Sequence, residues 1–147
     1  MTDRSILVSK RFVPIREAVC RTLTTAPELA EVKAVLRDRE ILARLPGTGL
    51  PALGVFFATS AGKGRSDQPY RIEVHVVVGV VERWASEDRL FAYIEAVENA
   101  LRAVPTLGGL IRTMSVGLTS LHYMNVESYW RSHAVLLLTC ERLKSSP

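Results

Sequence analysis

The sequence predicts an α+β fold in which a mainly antiparallel β-sheet carries two amphipathic helices on one face. A very long apolar strand pattern covers residues 70–81, and an amphipathic helix pattern follows it at residues 86–104. The full order of predicted elements is one helix, three strands, one helix and two strands. This order lacks the regular strand–helix alternation that is typical of parallel sheets.

The length and composition indicate one globular domain over residues 1–147, with residues 1–10 expected to be flexible. The sequence is 48% hydrophobic and 23% charged, with no internal repeat and no low-complexity segment. A chain of this size buries roughly 68–70% of its extended surface on folding, which is enough for a core without disulfides or metals.

The first half of the chain predicts one helix and two strands. Pro14 suits the first turn of a helix over residues 14–26, and Pro27 ends it. Apolar residues repeat on one face of this helix at Ile15, Ala18, Val19, Leu23 and Ala26. Residues 31–38 predict a strand with Val32, Ala34 and Leu36 facing inward, and residues 52–59 predict a second strand after the connector 45–51.

The segment 60–69 predicts an extended loop between this second strand and the long apolar one. Hairpin connections usually take two to five residues, so a ten-residue loop suggests that the segment is engaged with something. Lys63 and Arg65 are its candidate contacts with a partner. The open alternative is an exposed loop tip that contacts nothing.

The strand 70–81 is apolar on more than one face. Its alternate positions Ile72, Val74, Val76, Val78 and Val80 form one face. Val77 and Val81 make the far half of the opposite face apolar as well. One helix cannot cover both faces, so we expect a neighbouring subunit to supply the missing cover, with Val77 and Val81 as candidate contacts.

The second helix is predicted to be held by packing. Leu90, Ile94, Val97, Leu101 and Val104 form its inner stripe. Ser86 is positioned to cap its start, and Glu87 and Asp88 complement the helix dipole. Two closing strands are predicted at residues 110–121 and 131–142, joined by the aromatic-rich segment 123–130.

No residue pattern supports catalysis, so we expect no enzyme, no cofactor and no metal. Gly62-Lys63-Gly64 lacks the spacing of a phosphate-binding P-loop and precedes a strand instead of a helix. The three histidines have no metal-ligand spacing. Glu73 and His75 are the closest approach to a polar pair, and the alternative function is a small enzyme or ligand-binding domain that uses them with the glycine-rich loop.

Other classes of protein have little support. The net charge of +4 is spread along the chain, and Tyr123, Tyr129 and Trp130 fit no usual single-strand-binding signature. No stretch approaches the ~18 apolar residues of a membrane span. Cys20 and Cys140 lie among apolar neighbours and are predicted to be buried thiols. We therefore expect a soluble protein of a reducing compartment, without a membrane partner.

Taken in order, the predicted elements resemble the tail-terminator proteins of long-tailed bacteriophages and prophages. The resemblance covers the opening helix, the strand at residues 32–36, the proline-preceded strand 51–59, the loop 62–69, the long strand, the second helix and the closing strands. It is a resemblance of organisation without a sharp motif. Head–tail joining and tail-completion proteins share much of it.

The resemblance implies a structural virion protein with no catalytic residues. Such a protein forms a ring, typically of six subunits, on the head-proximal end of the tail tube, where it ends tube polymerisation and presents a docking surface for the head. The implied partners are further copies of the chain, the tail tube protein, the head–tail connector and DNA that passes through without sequence readout. Assembly in the host cytoplasm and a final place in the virion follow from the same resemblance.

Overall fold

A computed structural model describes residues 7, 9–10, 12–37, 46–58, 71–82, 87–126 and 129–142. The two helices are α1 (Phe12–Thr25) and α2 (Asp88–Arg102). The strands are β1 (Val35–Leu36), β2 (Ala52–Phe57), β3 (Arg71–Glu82), β4 (Ile111–Val126) and β5 (Tyr129–Arg142). Short 3-10 turns lie at Pro27–Leu29 and Gly47–Gly49.

The five strands form one sheet in the order β1-β2-β3-β5-β4. β1 runs parallel to β2, and every other neighbouring pair is antiparallel. The predicted α+β class and the predicted order of elements are therefore confirmed. β3 lies at the centre and pairs with β5 along its whole length, from Arg71 opposite Glu141 to Glu82 opposite Trp130.

Both helices pack on the same face of the sheet, as predicted. The core combines the inward sides of α1 and α2 with one face of β2, β3 and β5. The even-numbered positions of β3 that the sequence predicted to face inward are all at most 3% exposed. We call this side of the sheet the helix side. The predicted buried thiols are also confirmed: Cys20 and Cys140 are free and buried, and burial raises the pKa of Cys140 to about 12.

The first helix begins two residues earlier than predicted. The hydroxyl oxygen of Ser9 accepts hydrogen bonds from the backbone N–H groups of Phe12 and Val13, at 3.1 and 3.2 Å, and so satisfies two of the donors that a helix start leaves open. The Phe12 ring meets the Phe57 ring edge-on, with centroids 5.6 Å apart, which ties this first turn to the end of β2.

The predicted strand 31–38 is wrong in length and in facing. Of the described residues 31–37, only Val35–Leu36 form β1, and the last predicted residue, Asp38, lies outside the described residues. Val35 packs against the core, while Leu36 lies on the opposite side of the sheet. The chain enters from the 3-10 turn Pro27–Leu29, and the side chain of Val32 already packs against the core. A period of two therefore does not extend across residues 32–36.

The closing strands are longer than predicted, and the aromatic-rich segment belongs to them. β4 continues to Val126 and β5 begins at Tyr129, so Tyr123 and Trp130 lie within a hairpin and not in a long connection. The pairing has irregularities between Ile111 and Thr113 and between Leu118 and Ser120. Ser86 lies outside the described residues, and α2 begins after Glu87.

An ion pair joins α1 to the chain that leaves β1. The Arg37 guanidinium donates two hydrogen bonds of 2.6 Å to the two oxygens of Glu17, and Arg16 adds a third of 3.2 Å. These bonds, Arg37 first, lower the pKa of Glu17 from 4.5 to about 2. The Glu17 side chain remains 35% exposed, so water screens much of this attraction.

We expect Glu17→Gln to lower the free energy of unfolding by only about 0.2–1 kcal/mol near neutral pH. The folded-state pKa of Glu17 is depressed, so its contribution is full above the unfolded value near 4.5 and is lost as the pH falls towards about 2. Urea unfolding at several pH values measures this. The difference between the wild type and the variant should shrink over that window, whereas the control Ala92→Gln on the exposed side of α2 removes no titratable group and should show no such trend.

Truncation of the inner stripe of α2 should be far more costly. Ile94 is 4% exposed within the core, so Ile94→Ala should lower the free energy of unfolding by about 2–5 kcal/mol through lost contacts and a cavity. The neighbouring exposed residue gives the control, because Glu95→Ala should change it by no more than about 0.5 kcal/mol. Equal losses in chemical denaturation would contradict a helix held by packing.

Candidate interaction surface

The side of the sheet away from the helices is the candidate functional surface, and we call it the outer face. The strand register arranges its side chains in rows that cross β2, β3, β5 and β4. From one end, the rows are Glu73-Thr139-Ser115, Phe56-His75-Leu137-Gly117, Gly54-Val77-Val135-Ser120, Ala52-Gly79-His133-His122 and Val81-Arg131-Met124. α1 and α2 both pack on the opposite side of these strands.

The middle of the outer face is apolar, as the sequence predicted for β3. Val77 and Val81 both lie on this face. Val77 is only 7% exposed in the single chain and therefore offers little surface to a partner, whereas Val81 is half-buried. Val135 lies beside Val77, and Leu137 lies beside His75 on β5. Both β5 residues are half-buried. The apolar surface is therefore shared by two neighbouring strands.

Sequence reasoning missed Val135 and Leu137. The available signal was the unbroken run from Ala134 to Leu138, which is typical of a strand with apolar contacts on both faces. Its even-numbered members are fully buried on the helix side, while the odd-numbered ones extend the outer face.

Glu73 and His75 lie on the outer face in adjacent rows, and both are half-buried. The His75 ring meets the Phe56 ring edge-on, with centroids 5.7 Å apart, in a packing contact between β3 and β2. Lys63, Arg65 and the glycines of the predicted loop lie outside the described residues. The described part of the alternative ligand site is therefore this pair alone.

A second pair of histidines lies on the outer face, and sequence reasoning did not bring it together. His122 of β4 is opposite His133 of β5, and their rings stack with centroids 4.6 Å apart. Burial lowers the pKa of His133, and positive charge on His122 and Arg131 lowers it further. Positions eleven residues apart become neighbours only because the hairpin pairs them in this register.

The described residues form no cluster of three or more His, Cys, Asp or Glu side chains that a metal ion would require. Within the same ranges, neither helix is long and apolar enough to span a bilayer. Comparison with known protein families finds no family model that matches the sequence, and comparison with curated proteins finds no match either. The geometry of the outer face is therefore the basis for a functional proposal.

We expect His133 to titrate below its usual value of 6.5, because burial and its charged neighbours favour the neutral ring. Below about pH 6.5, the His133 ring of the unfolded chain takes up a proton while the ring of the folded chain stays neutral. Proton uptake therefore favours the unfolded chain, and the free energy of unfolding should fall as the pH drops below about 6.5. NMR titration of the histidine ring protons measures the midpoint.

A matched pair of variants separates the causes of this shift. His122→Gln should raise the midpoint of His133 but leave it below 6.5, because burial remains the larger cause. His75→Gln, two rows away on β3, should leave the midpoint unchanged. A midpoint at or above 6.5 in the wild type would contradict the stacked, half-buried geometry.

Proposed function

We propose that this chain is a structural virion protein that caps the head-proximal end of a phage tail tube as a ring of several copies, six by the resemblance in element order. In that position it ends polymerisation of the tube and presents the docking surface for the head. The observation that carries the proposal is the outer face, where half-buried Val81, Val135 and Leu137 lie on the side of the sheet away from both helices.

The division between the two faces supports assembly. A sheet in a two-layer domain needs one apolar face to bind its helices, and here the helix side already packs against both α1 and α2. Further aliphatic side chains on the opposite face are typical of a surface that a partner covers. In a ring, the outer face of one copy would meet a different surface of the next, and such a head-to-tail contact closes when its rotation divides a full turn.

The remaining partners follow from the position of a terminator on the tube. Lys63 and Arg65 are the proposed contacts with the tube protein, and the head–tail connector would bind the opposite end of the ring. DNA would pass through the centre without sequence readout, for which a mild positive charge is sufficient. The proposal assigns no catalytic step, cofactor or metal to the chain.

Electron microscopy of tails assembled with and without the protein tests the proposal. We expect ring-shaped density at the head-proximal end of tubes of uniform length when the protein is present, and tubes of uncontrolled length that fail to join heads when its gene is removed. Uniform tails and normal head joining without the gene would overturn the proposal.

Substitution on the outer face tests the surface that carries the proposal. We expect Leu137→Glu to abolish ring formation, because a carboxylate at the centre of an apolar contact loses its water. Asn99→Glu adds the same charge on the exposed side of α2 and should leave rings intact. Circular dichroism melts identify loss of folding, and Val81→Glu repeats the test at the other end of the face. Intact rings in both folded outer-face variants would exclude this surface.

A further inference from the structure

β4 forms an edge of the sheet and is unusually long and weakly charged for an edge. It has 16 residues and pairs with β5 on one side, and no other described strand lies beyond it. Arg112 is its one Lys, Arg, Asp or Glu residue, and it contains no proline. The opposite edge, β1, is only two residues long. Proteins usually protect edges by shortness, charge or proline, and β4 has Arg112, an irregularity at its first residues and a bulge near its middle.

The bulge divides β4 into two regular stretches, 113–118 and 120–126, each as long as an ordinary strand. In the first stretch, the even-numbered residues lie on the helix side of the sheet, because Met114 and Val116 pair with buried Cys140 and Leu138. In the second stretch, the odd-numbered residues do, because Leu121 pairs with buried Ala134. The change of parity at the bulge keeps the helix side apolar along the strand.

This change of parity makes β4 complementary to a second copy of itself. Full antiparallel overlap of two β4 strands brings Met114 opposite Tyr123 and Val116 opposite Leu121, and all four lie on the helix side. On the outer face it brings Thr113 opposite Met124 and Ser115 opposite His122. Without the bulge, the same overlap would bring helix-side residues of one copy opposite outer-face residues of the other.

We propose that two copies of this chain associate through antiparallel pairing of their β4 strands about a two-fold axis. The pair forms one ten-stranded sheet with all four helices on the same side. The backbone N–H and C=O groups on the outer edge of β4, which pair with no other described strand, supply the hydrogen bonds, as in other cases of strand addition. Leu118 and Tyr123, which are 41% and 45% exposed in the single chain, become covered in the joint.

Length and charge both favour a second copy as the occupant. A strand of 16 residues is about 50 Å long, and a sheet with its side chains is about 10 Å thick, so full pairing buries roughly 1,000 Å² in total. That area reaches the lower limit of about 1,000 Å² for a biological interface. The charge argument is that Arg112 of one copy lies at the opposite end of the joint from Arg112 of the other, so the two positive charges do not repel each other at close range. β1 of another copy is too short to cover more than a small part of this edge.

This pairing goes beyond the proposed ring and does not depend on it. Ring subunits that cap a tube all point the same way and meet head to tail, whereas the β4 pair is two-fold symmetric and closed. The pairing describes the free protein and uses the backbone of the β4 edge, while the ring proposal uses Val81, Val135 and Leu137 of the outer face.

Charge exchange across the joint tests the pairing. Thr113 and Met124 are both exposed in the single chain, and they face each other across the proposed joint. In Thr113→Lys/Met124→Lys, lysine meets lysine at two places, and in Thr113→Glu/Met124→Glu, glutamate meets glutamate. We expect a wild-type dimer in sedimentation equilibrium and at least a tenfold higher dissociation constant for each double variant. An equimolar mixture of the two variants should dimerise again.

The matched control places two lysines on the exposed side of α2, as Ala92→Lys/Asn99→Lys, and should dimerise like the wild type. Hydrogen exchange adds an independent measurement, because edge amides of β4 should gain protection as the concentration of the wild type rises. A monomeric wild type at every concentration, a dimer unaffected by either double variant, or a mixture that stays monomeric would overturn the pairing. Rings that persist in both double variants would leave the proposed function intact.

Discussion

The structure depends on the pairing of β3 with β5. The two strands are joined along the whole of β3, and each contributes a row of fully buried aliphatic side chains to the helix side. α2 packs directly over them, and α1 reaches the core through β1 and β2. Because the pairing fixes the register on both sides at once, it also determines which residues form the outer face. A slip of one residue would exchange the two faces.

The long, strongly patterned elements were predictable from the sequence, and the weakly patterned ones were not. The helix-side residues of β3 recur with a regular period of two and those of α2 with a period of about 3.6, and the predicted bounds of both elements are within two residues of the structure. The prediction of β1 was wrong because Val32, Ala34 and Leu36 alternate in the sequence without lying on one face of a strand. The backbone there is held by single hydrogen bonds, from Lys33 N–H to the Pro51 carbonyl and from Leu53 N–H to the Ala34 carbonyl. Such tertiary contacts leave no periodic signal.

The candidate surface was predictable only in part, for a related reason. Val77 and Val81 stand out within β3 because they are apolar residues on the face that alternation makes polar. Val135 and Leu137 become their neighbours only after β3 and β5 are placed side by side. The stack of His122 on His133 likewise needs the register of a hairpin whose aromatic residues had indicated a connection. A single sequence indicates which faces of an element are apolar, but the neighbour that completes a surface is a property of topology.

The proposed ring contact and the proposed β4 pairing place different requirements on the same sheet. A face contact requires side chains, and its specificity lies in Val81, Val135 and Leu137. An edge contact requires the backbone of β4 to be extended and correctly phased over its whole length. Thr119, at the bulge, donates its hydroxyl hydrogen to the Val135 carbonyl at 2.9 Å, so the irregularity is fixed to β5 directly behind the outer face. Thr119 of the edge strand therefore contacts Val135, a residue of the outer face, and a single hydrogen bond holds the bulge in place against β5.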